Sequence, residues 1–279
     1  MSRQDPIVPR PGLFGDANDA DVLERQRRSF EHTAADYDRY RPSYPEALFE
    51  HIRNYADLAP DDRILEIGAG TGRATTHLAR WGNPLLAIEP APAMADVARE
   101  NLASFANVEV QTARFEDGVE ARAFGLVAVA QAFHWLDANT RIERIAGALY
   151  AHGTAAIMSN VQVTPEHNLP FFVQVQDVYL KHAPQLAHKG EFRRPDNLPG
   201  HPLEGSGLFT DLQQFGYPWH WTLPTETYIG LLSTHSPHAA LDEDVRRALT
   251  DDIATLIDAE FGGHVSEHYV AMAGVARRS

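Results

Sequence analysis

Between Arg63 and Asn160 short apolar runs alternate with stretches whose apolar residues recur at helical spacing. The runs are RILEIG, LLAIE, VEVQT, FGLVAVAQ and TAAIMSN, and the intervening pattern predicts helices running to Trp81, Ser104 and Tyr150. Strands that recur with helices between them make crossover units, hence a parallel sheet covered on both faces with right-handed connections. LVAVA and AAIM show no polar alternation, as expected of central strands buried on both sides. The predicted fold class is therefore α/β, doubly wound and Rossmann-like.

Outside this stretch the pattern is looser. Residues 1–20 carry Pro6, Pro9, Pro11, Gly12 and Gly15 with few large apolar side chains and read as an arm. From Asp21 to Ala59 the spacing is helical, broken by Pro42 and Pro45, and the segment FEHTAADYDRYRPSY is dense enough in aromatics to cap a pocket. After Asn160 the chain predicts a helix over 170–182, a Gly- and Pro-rich stretch over 184–207 and an aromatic-rich segment over 209–221. Helices near 224–233 and 242–261 follow, then an apolar segment, Tyr269 to Ala276, which fits an antiparallel edge strand closing a mostly parallel sheet. The resulting organisation is an arm (1–20) and one domain (21–279). That domain comprises an N-terminal helical lid (21–60), a core (61–160), an insertion facing the substrate (161–235), and a C-terminal helix with an edge strand (236–279).

Composition narrows the function. The 279 residues hold 24 Lys+Arg against 38 Asp+Glu, a formal charge of −14, with 44% apolar residues and no cysteine. An acidic balance works against phosphate backbones, so nucleic acid is not an expected partner. The basic cluster Arg25, Arg27 and Arg28 sits among Glu24 and Glu31 and reads as a solvated helix face. Without cysteine there is no disulfide framework, thiolate metal cluster or thiol nucleophile. The longest uncharged central stretch, Ala123 to Leu136, is too short and polar for a bilayer that needs about 20 apolar residues. The N-terminus lacks the apolar run of a signal peptide. The expectation is a cytoplasmic protein with no membrane partner, a monomer or homodimer.

The residues richest in chemistry are Glu66-Ile67-Gly68-Ala69-Gly70-Thr71-Gly72, after a predicted strand and before a predicted helix. Glycines there let the backbone turn tightly and approach a ligand, and the helix start behind them offers unpaired N–H groups. A glycine turn by itself is equally a plain strand-to-helix connection. Its partner is Glu89, at the end of LLAIE, where an acidic side chain can accept hydrogen bonds from a ribose diol. Together they point to an adenosine-containing ligand. The dinucleotide fingerprint G-x-G-x-x-G requires a third glycine where this chain has Arg73.

The spacing is instead G-x-G-x-G. ILEIGAGTG, IEPAPAMADVARE and AFHWLD, in that order, closely resemble the class I S-adenosylmethionine-dependent methyltransferases. YDRYRPSYP and the ending YVAMAGVARR look like the type 11 subfamily related to trans-aconitate methyltransferase. The resemblance implies S-adenosyl-L-methionine as cofactor, with Gly68, Gly70 and Gly72 lining its methionine part, helped by Glu66 and Thr71. It further implies Glu89 at the ribose hydroxyls, Pro90, Met94 and Phe115 beside the adenine, and Gln131 facing the cofactor. Tyr37 and Arg41 match the family's N-terminal lid, where the arginine can pair with the cofactor's carboxylate; simple packing of that helix on the sheet is the alternative. Two positions depart from the family pattern: Arg114 stands where relatives often carry Asp, and Gly125 where F-D-L-V is common.

The implied activity is metal-independent transfer of a methyl group to a small-molecule acceptor by in-line displacement. A nicotinamide-dependent oxidoreductase and a non-catalytic binding protein on the same fold remain alternatives. His134 follows the fourth strand and is read either as a general base or acceptor-positioning group, or as a packing residue. Trp135, Trp219 and Trp221 are candidates for the acceptor pocket, the last two equally for a strand packed on the core. His264-Val265-Ser266-Glu267-His268 matches the zinc pattern H-x-x-E-H, which requires one helix face; after Gly262 and Gly263 and before an apolar run, a strand or hairpin fits better, so no metal is expected. His235 and His238, flanking Pro237, read as surface loop residues.

Overall fold

A computed structural model of the protein describes residues 34–188 and 201–279. The arm over 1–20, the basic cluster at Arg25, Arg27 and Arg28, and the lid up to residue 33 lie outside the described residues. Seven strands, β1 (Ile64–Ile67), β2 (Leu85–Glu89), β3 (Val108–Thr112), β4 (Phe124–Ala130), β5 (Leu149–Val163), β6 (Phe209–Pro224) and β7 (His264–Arg278), form one sheet in the order β3-β2-β1-β4-β5-β7-β6. The β1–β2, β1–β4, β2–β3 and β4–β5 pairs are parallel, while β7 runs antiparallel to both β5 and β6.

β1 and β4 are buried along their whole length and largely apolar because helices cover both faces, while β5 runs on for 15 residues. On one face α1 (Ala34–Tyr40), α2 (Glu46–Ala56) and α3 (Arg73–Ala79) follow the loops near the cavity. There Leu48, Phe49, Ile52 and Leu78 pack on Ile64, Leu126, Ala128 and Ala156, the alanines leaving room for large helix residues. On the other face Ile145 and Ala148 of α5 (Arg141–Ala148) join Phe133 against Leu65, Val127, Val129 and Ile157. Between β2 and β3, α4 (Pro92–Asn101) starts on a proline, whose missing N–H costs nothing at a helix start.

The C-terminal strand is antiparallel, as its sequence suggests, but it lies inside the sheet with β6 covering its outer flank. Pro218 explains the arrangement. A proline cannot donate to a ladder on both sides, so β6 fits only an edge, and β7 is left to pair with β5. The segment between β5 and β6 supplies α6 (Leu169–His182); α7 (Thr225–Ser233), α8 (Ser236–Ala239) and α9 (Glu243–Glu260) lie between β6 and β7. These helices share a second core of Phe171, Val175, Tyr228, Leu231, Leu249 and Ile253. α1 bridges toward α4 through Ala34, which packs with Ala91 and Met94. It also rests on α7, where a side chain at Gly230 would come within 2.5 Å of Tyr40.

Candidate active site

The cavity opens where the parallel strands end, at the point where the order reverses between β1 and β4, the position open α/β sheets use for ligands. It encloses about 1160 Å³ counted out to its mouth. Gly68 and Gly70 adopt φ of +71° and +59° as the chain leaves β1. Gly68 has no alternative, because a Cβ there would lie 2.4 Å from Ala132 Cβ, whereas at Gly70 nothing stands within 4 Å. The loop thus passes under the turn after β4 and keeps its outer side open.

Glu89, the last residue of β2, is buried, and its two oxygens are fixed by backbone amides: Gly70 N donates to Oε2 and Ala91 N to Oε1, both at 2.9 Å. One carboxylate therefore ties the glycine loop to the start of α4. Glu66, the third residue of β1, is 1% exposed, and its Oε2 has no hydrogen-bond partner. Burial, reinforced by the Glu89 charge, pushes its carboxyl up to about 8. Such a group invites a cationic or hydrogen-bond-donating ligand atom.

Two guanidinium groups stand on the same wall. Arg41 donates from Nη2 to the Thr234 carbonyl at 2.9 Å and lies 5.2 Å from the Tyr37 ring centre, while its buried Nε has no partner. Arg73, half-buried at the start of α3, likewise has an unpartnered buried Nε, and desolvation lowers its pKa. In the sequence Arg73 stands where a dinucleotide fingerprint has its third glycine. Its place one residue after the glycine loop was the signal for a second cation in the site.

Tyr37, Arg41, Glu66, Gly68, Gly70, Thr71, Glu89, Pro90, Met94, Phe115, Gln131 and Trp135 all line this cavity. Gln131 takes a left-handed φ of 55° and donates from Nε2 to the Asn160 carbonyl at 3.3 Å, so Asn160 joins the wall as well. Arg114, the departure from the family pattern, is also on the lining.

Four of the sequence candidates are placed elsewhere. Gly72 caps α3 and faces an outer depression. His134 leans on Trp135 with ring centres 4.8 Å apart and does not line the cavity; burial and the Arg141 charge lower its pKa. Trp219 and Trp221 lie within β6, packed on the two cores, because every second residue of that strand turns inward. Trp219 reaches the site only indirectly, its Nε1 donating to Asn160 Oδ1 at 3.2 Å. His264 to His268 belongs to β7, so the helix face that H-x-x-E-H needs does not form. His238, on α8, is buried, accepting or donating at 2.8 Å with the Tyr179 hydroxyl, so it is not a surface loop residue; His235, half-buried, sits beside it with ring centres 5.8 Å apart.

Comparison with known proteins agrees with this geometry. Residues 64–153 match the family described as a methyltransferase domain. An uncharacterized methyltransferase of Mycobacterium tuberculosis is 26% identical over 229 residues, 82% of this chain and 85% of that protein. An uncharacterized methyltransferase-like protein of Schizosaccharomyces pombe is 27% identical over 238 residues, covering 82% and 87%. Among solved structures, a candidate type II methyltransferase from Anaeromyxobacter dehalogenans superposes with a TM-score of 0.57 at 22% identity, over 86% of this chain and 97% of that one. Residues 64–153 thus match a methyltransferase domain, and the helices α6 to α9 lie outside that span, on either side of β6 in the chain.

Proposed function

We propose that the cavity binds S-adenosylmethionine and that the protein moves its methyl group to a small-molecule acceptor without a metal. The observation that carries this reading is the pinned Glu89 carboxylate at one side of the cavity, facing the same space as the unpartnered Glu66 oxygen and the two guanidiniums. The polar atoms match the donor's chemistry. Glu89 would hold the ribose hydroxyls, with Pro90, Met94 and Phe115 as the apolar wall for adenine; Glu66 would take the ammonium, and Arg41 and Arg73 the carboxylate. That satisfies every one of those buried orphan atoms, which otherwise cost about 1–3 kcal/mol each. Arg73 in the third-glycine position disfavours a nicotinamide dinucleotide.

When bound, the donor supplies a methyl group on a sulfonium that leaves along the axis of attack. The chain's contribution is alignment and exclusion of water, since positive charge disappears as the new bond forms; good orientation is worth several kcal/mol, with an upper range of about 7–11 kcal/mol. Aromatic faces such as Tyr37 and Trp135, both on the cavity wall, suit a sulfonium at about 0.5–2 kcal/mol each.

Calorimetric titration tests the reading. S-adenosylmethionine should bind with one site per chain and NAD should not, and label from the methyl group should pass to an acceptor. Binding of NAD in preference to the sulfonium donor would overturn it, and donor binding without transfer to any acceptor would leave a binding protein instead.

A further inference from the structure

Gln131 follows β4 directly and takes a φ of 55°, in the left-handed region where a residue with a side chain is strained. At Gly68 and Gly70, on the same cavity, the chain meets such angles with glycine. A glycine at 131 would relieve the backbone, so the glutamine is kept at a cost to stability. Strain of this kind gathers where a side chain serves a ligand. Gln131 is exposed and lines the cavity, and its neighbour Ala132 lies so near Gly68 that the turn stands over the glycine loop.

The side chain has a fixed orientation. Its Nε2 donates to the Asn160 carbonyl at 3.3 Å; a carbonyl only accepts, so the amide nitrogen is on that side and Oε1 is turned from it. Among the described residues Oε1 has no hydrogen-bond partner. Asn160 is anchored in turn, its Nδ2 donating to the Ser43 carbonyl at 2.9 Å and its Oδ1 accepting from Trp219 Nε1 at 3.2 Å. The Gln131 amide therefore stands preorganised at the ends of β4 and β5. The reading above puts the donor at the ends of β1, β2 and β3, on Glu66, Glu89 and Phe115, which leaves this end of the cavity for the acceptor. Glu66 and Glu89 are engaged there, and Glu116 accepts from the Asp137 amide at 3.3 Å, so no lining carboxylate among the described residues is left as a base for the acceptor.

We propose that Gln131 holds the methyl acceptor, its Oε1 accepting a hydrogen bond from an N–H of the nucleophilic atom, and that the acceptor is a neutral amine. The nitrogen keeps its lone pair for the methyl carbon. As the nitrogen–carbon bond forms, the carbon–sulfur bond breaks and its electron pair stays on sulfur as a neutral thioether; the nitrogen becomes cationic and afterwards loses its N–H proton to water. Positive charge growing on that N–H strengthens its bond to Oε1, so the contact is worth more in the transition state than before it. A carboxylate brings no N–H and sets a negative oxygen against Oε1. This inference rests on the methyltransferase reading above and narrows its acceptor; it also turns Gln131 from the donor, which the family resemblance implies, to the acceptor.

The test is transfer of labelled methyl from S-adenosylmethionine to aniline, benzylamine, imidazole and succinate by the wild type, Gln131→Asn and Gln131→Gly, with S-adenosylhomocysteine affinity and melting temperature measured for each. Asparagine tolerates the left-handed region but withdraws the carbonyl by one methylene, and glycine removes it. The wild type should methylate the nitrogen acceptors and not succinate. Both variants should lose about 100-fold in kcat, keep S-adenosylhomocysteine affinity within about twofold, and melt no lower than the wild type. Variant turnover close to that of the wild type, transfer to succinate as fast as to any amine, or no transfer to a nitrogen acceptor by a wild type that binds S-adenosylhomocysteine would each overturn the proposal. A loss of S-adenosylhomocysteine affinity of about tenfold or more in both variants would overturn it by returning Gln131 to the donor. Lower melting, or failure to fold, in both would overturn it by making the side chain structural. Failure of the wild type to bind S-adenosylhomocysteine at all would instead remove the donor reading beneath it.

Discussion

The two halves of the sheet are built by different means. On the β3-β2-β1 side the site is made of backbone: a glycine loop, a helix start, and one carboxylate gathering two amides within the span from Gly68 to Ala91. On the β5-β7-β6 side it is made of side chains brought together from far apart in the chain, as in Gln162 with Glu267, 105 residues away, and Trp219 with Asn160, 59 away. Backbone sites tolerate little variation because their geometry depends on single φ angles and close approaches. Side-chain sites change with each substitution, which would suit a half that recognises the acceptor under the proposed function.

The contrast can be broken most forcefully at Gly68. Gly68→Val puts a branched side chain where a Cβ alone meets Ala132 at 2.4 Å, and at a φ of +71°. Strain and clash together should cost about 3 kcal/mol or more and abolish donor binding by calorimetry. Next, Glu89→Ala should weaken S-adenosylmethionine by about 2–4 kcal/mol, since two charge-assisted hydrogen bonds to the ligand are lost and the Gly70 and Ala91 amides are left unpaired. Unchanged affinity in that variant would show that the backbone half does not hold the donor.

Glu66 offers a smaller and pH-dependent effect. Its carboxyl is raised in the fold to about 8, so the folded state keeps a proton that the unfolded chain has already lost. Stability should therefore fall as pH rises from about 5 to about 8, by on the order of 1 kcal/mol per unit, read as a falling melting temperature. Glu66→Gln should flatten that slope. In the wild type, donor affinity should rise between about pH 6 and 7.5, because pairing Glu66 with an ammonium releases its proton, and the Gln variant should lose this rise. The smallest effect is expected at Trp219. Trp219→Phe removes one hydrogen bond to Asn160 and trims packing, costing about 1–2 kcal/mol of stability with donor affinity unchanged. A large loss of donor binding there would erase the distinction between the halves.

The same contrast explains what the sequence made legible. Strands such as VEVQT and LLAIE were readable to the residue, because apolar runs between helical stretches are local signals. The glycine loop and Glu89 were readable for the same reason. The position of β7 was not, since pairing partners far apart in sequence leave no local trace, although Pro218 marked β6 as an edge. In β6 the alternation Phe215, Tyr217, Trp219, Trp221, Leu223 already carried a strand's period, and the aromatic richness drew attention to a pocket instead. Glu267 lay within a motif read for zinc, and only the sheet register shows it beside Gln162.

Arg41 touches both halves at once. Its guanidinium sits on the wall of the donor cavity and holds the carbonyl of Thr234, at the end of the helix that also carries Tyr228. A ligand carboxylate that engaged this arginine would act on a side chain that also holds the end of that helix, so under the proposed function the expected order of loading is nucleoside first, nucleophile second, spent thioether last. Product-inhibition kinetics should carry that sequence, with S-adenosylhomocysteine competing against the donor and not against the methyl recipient.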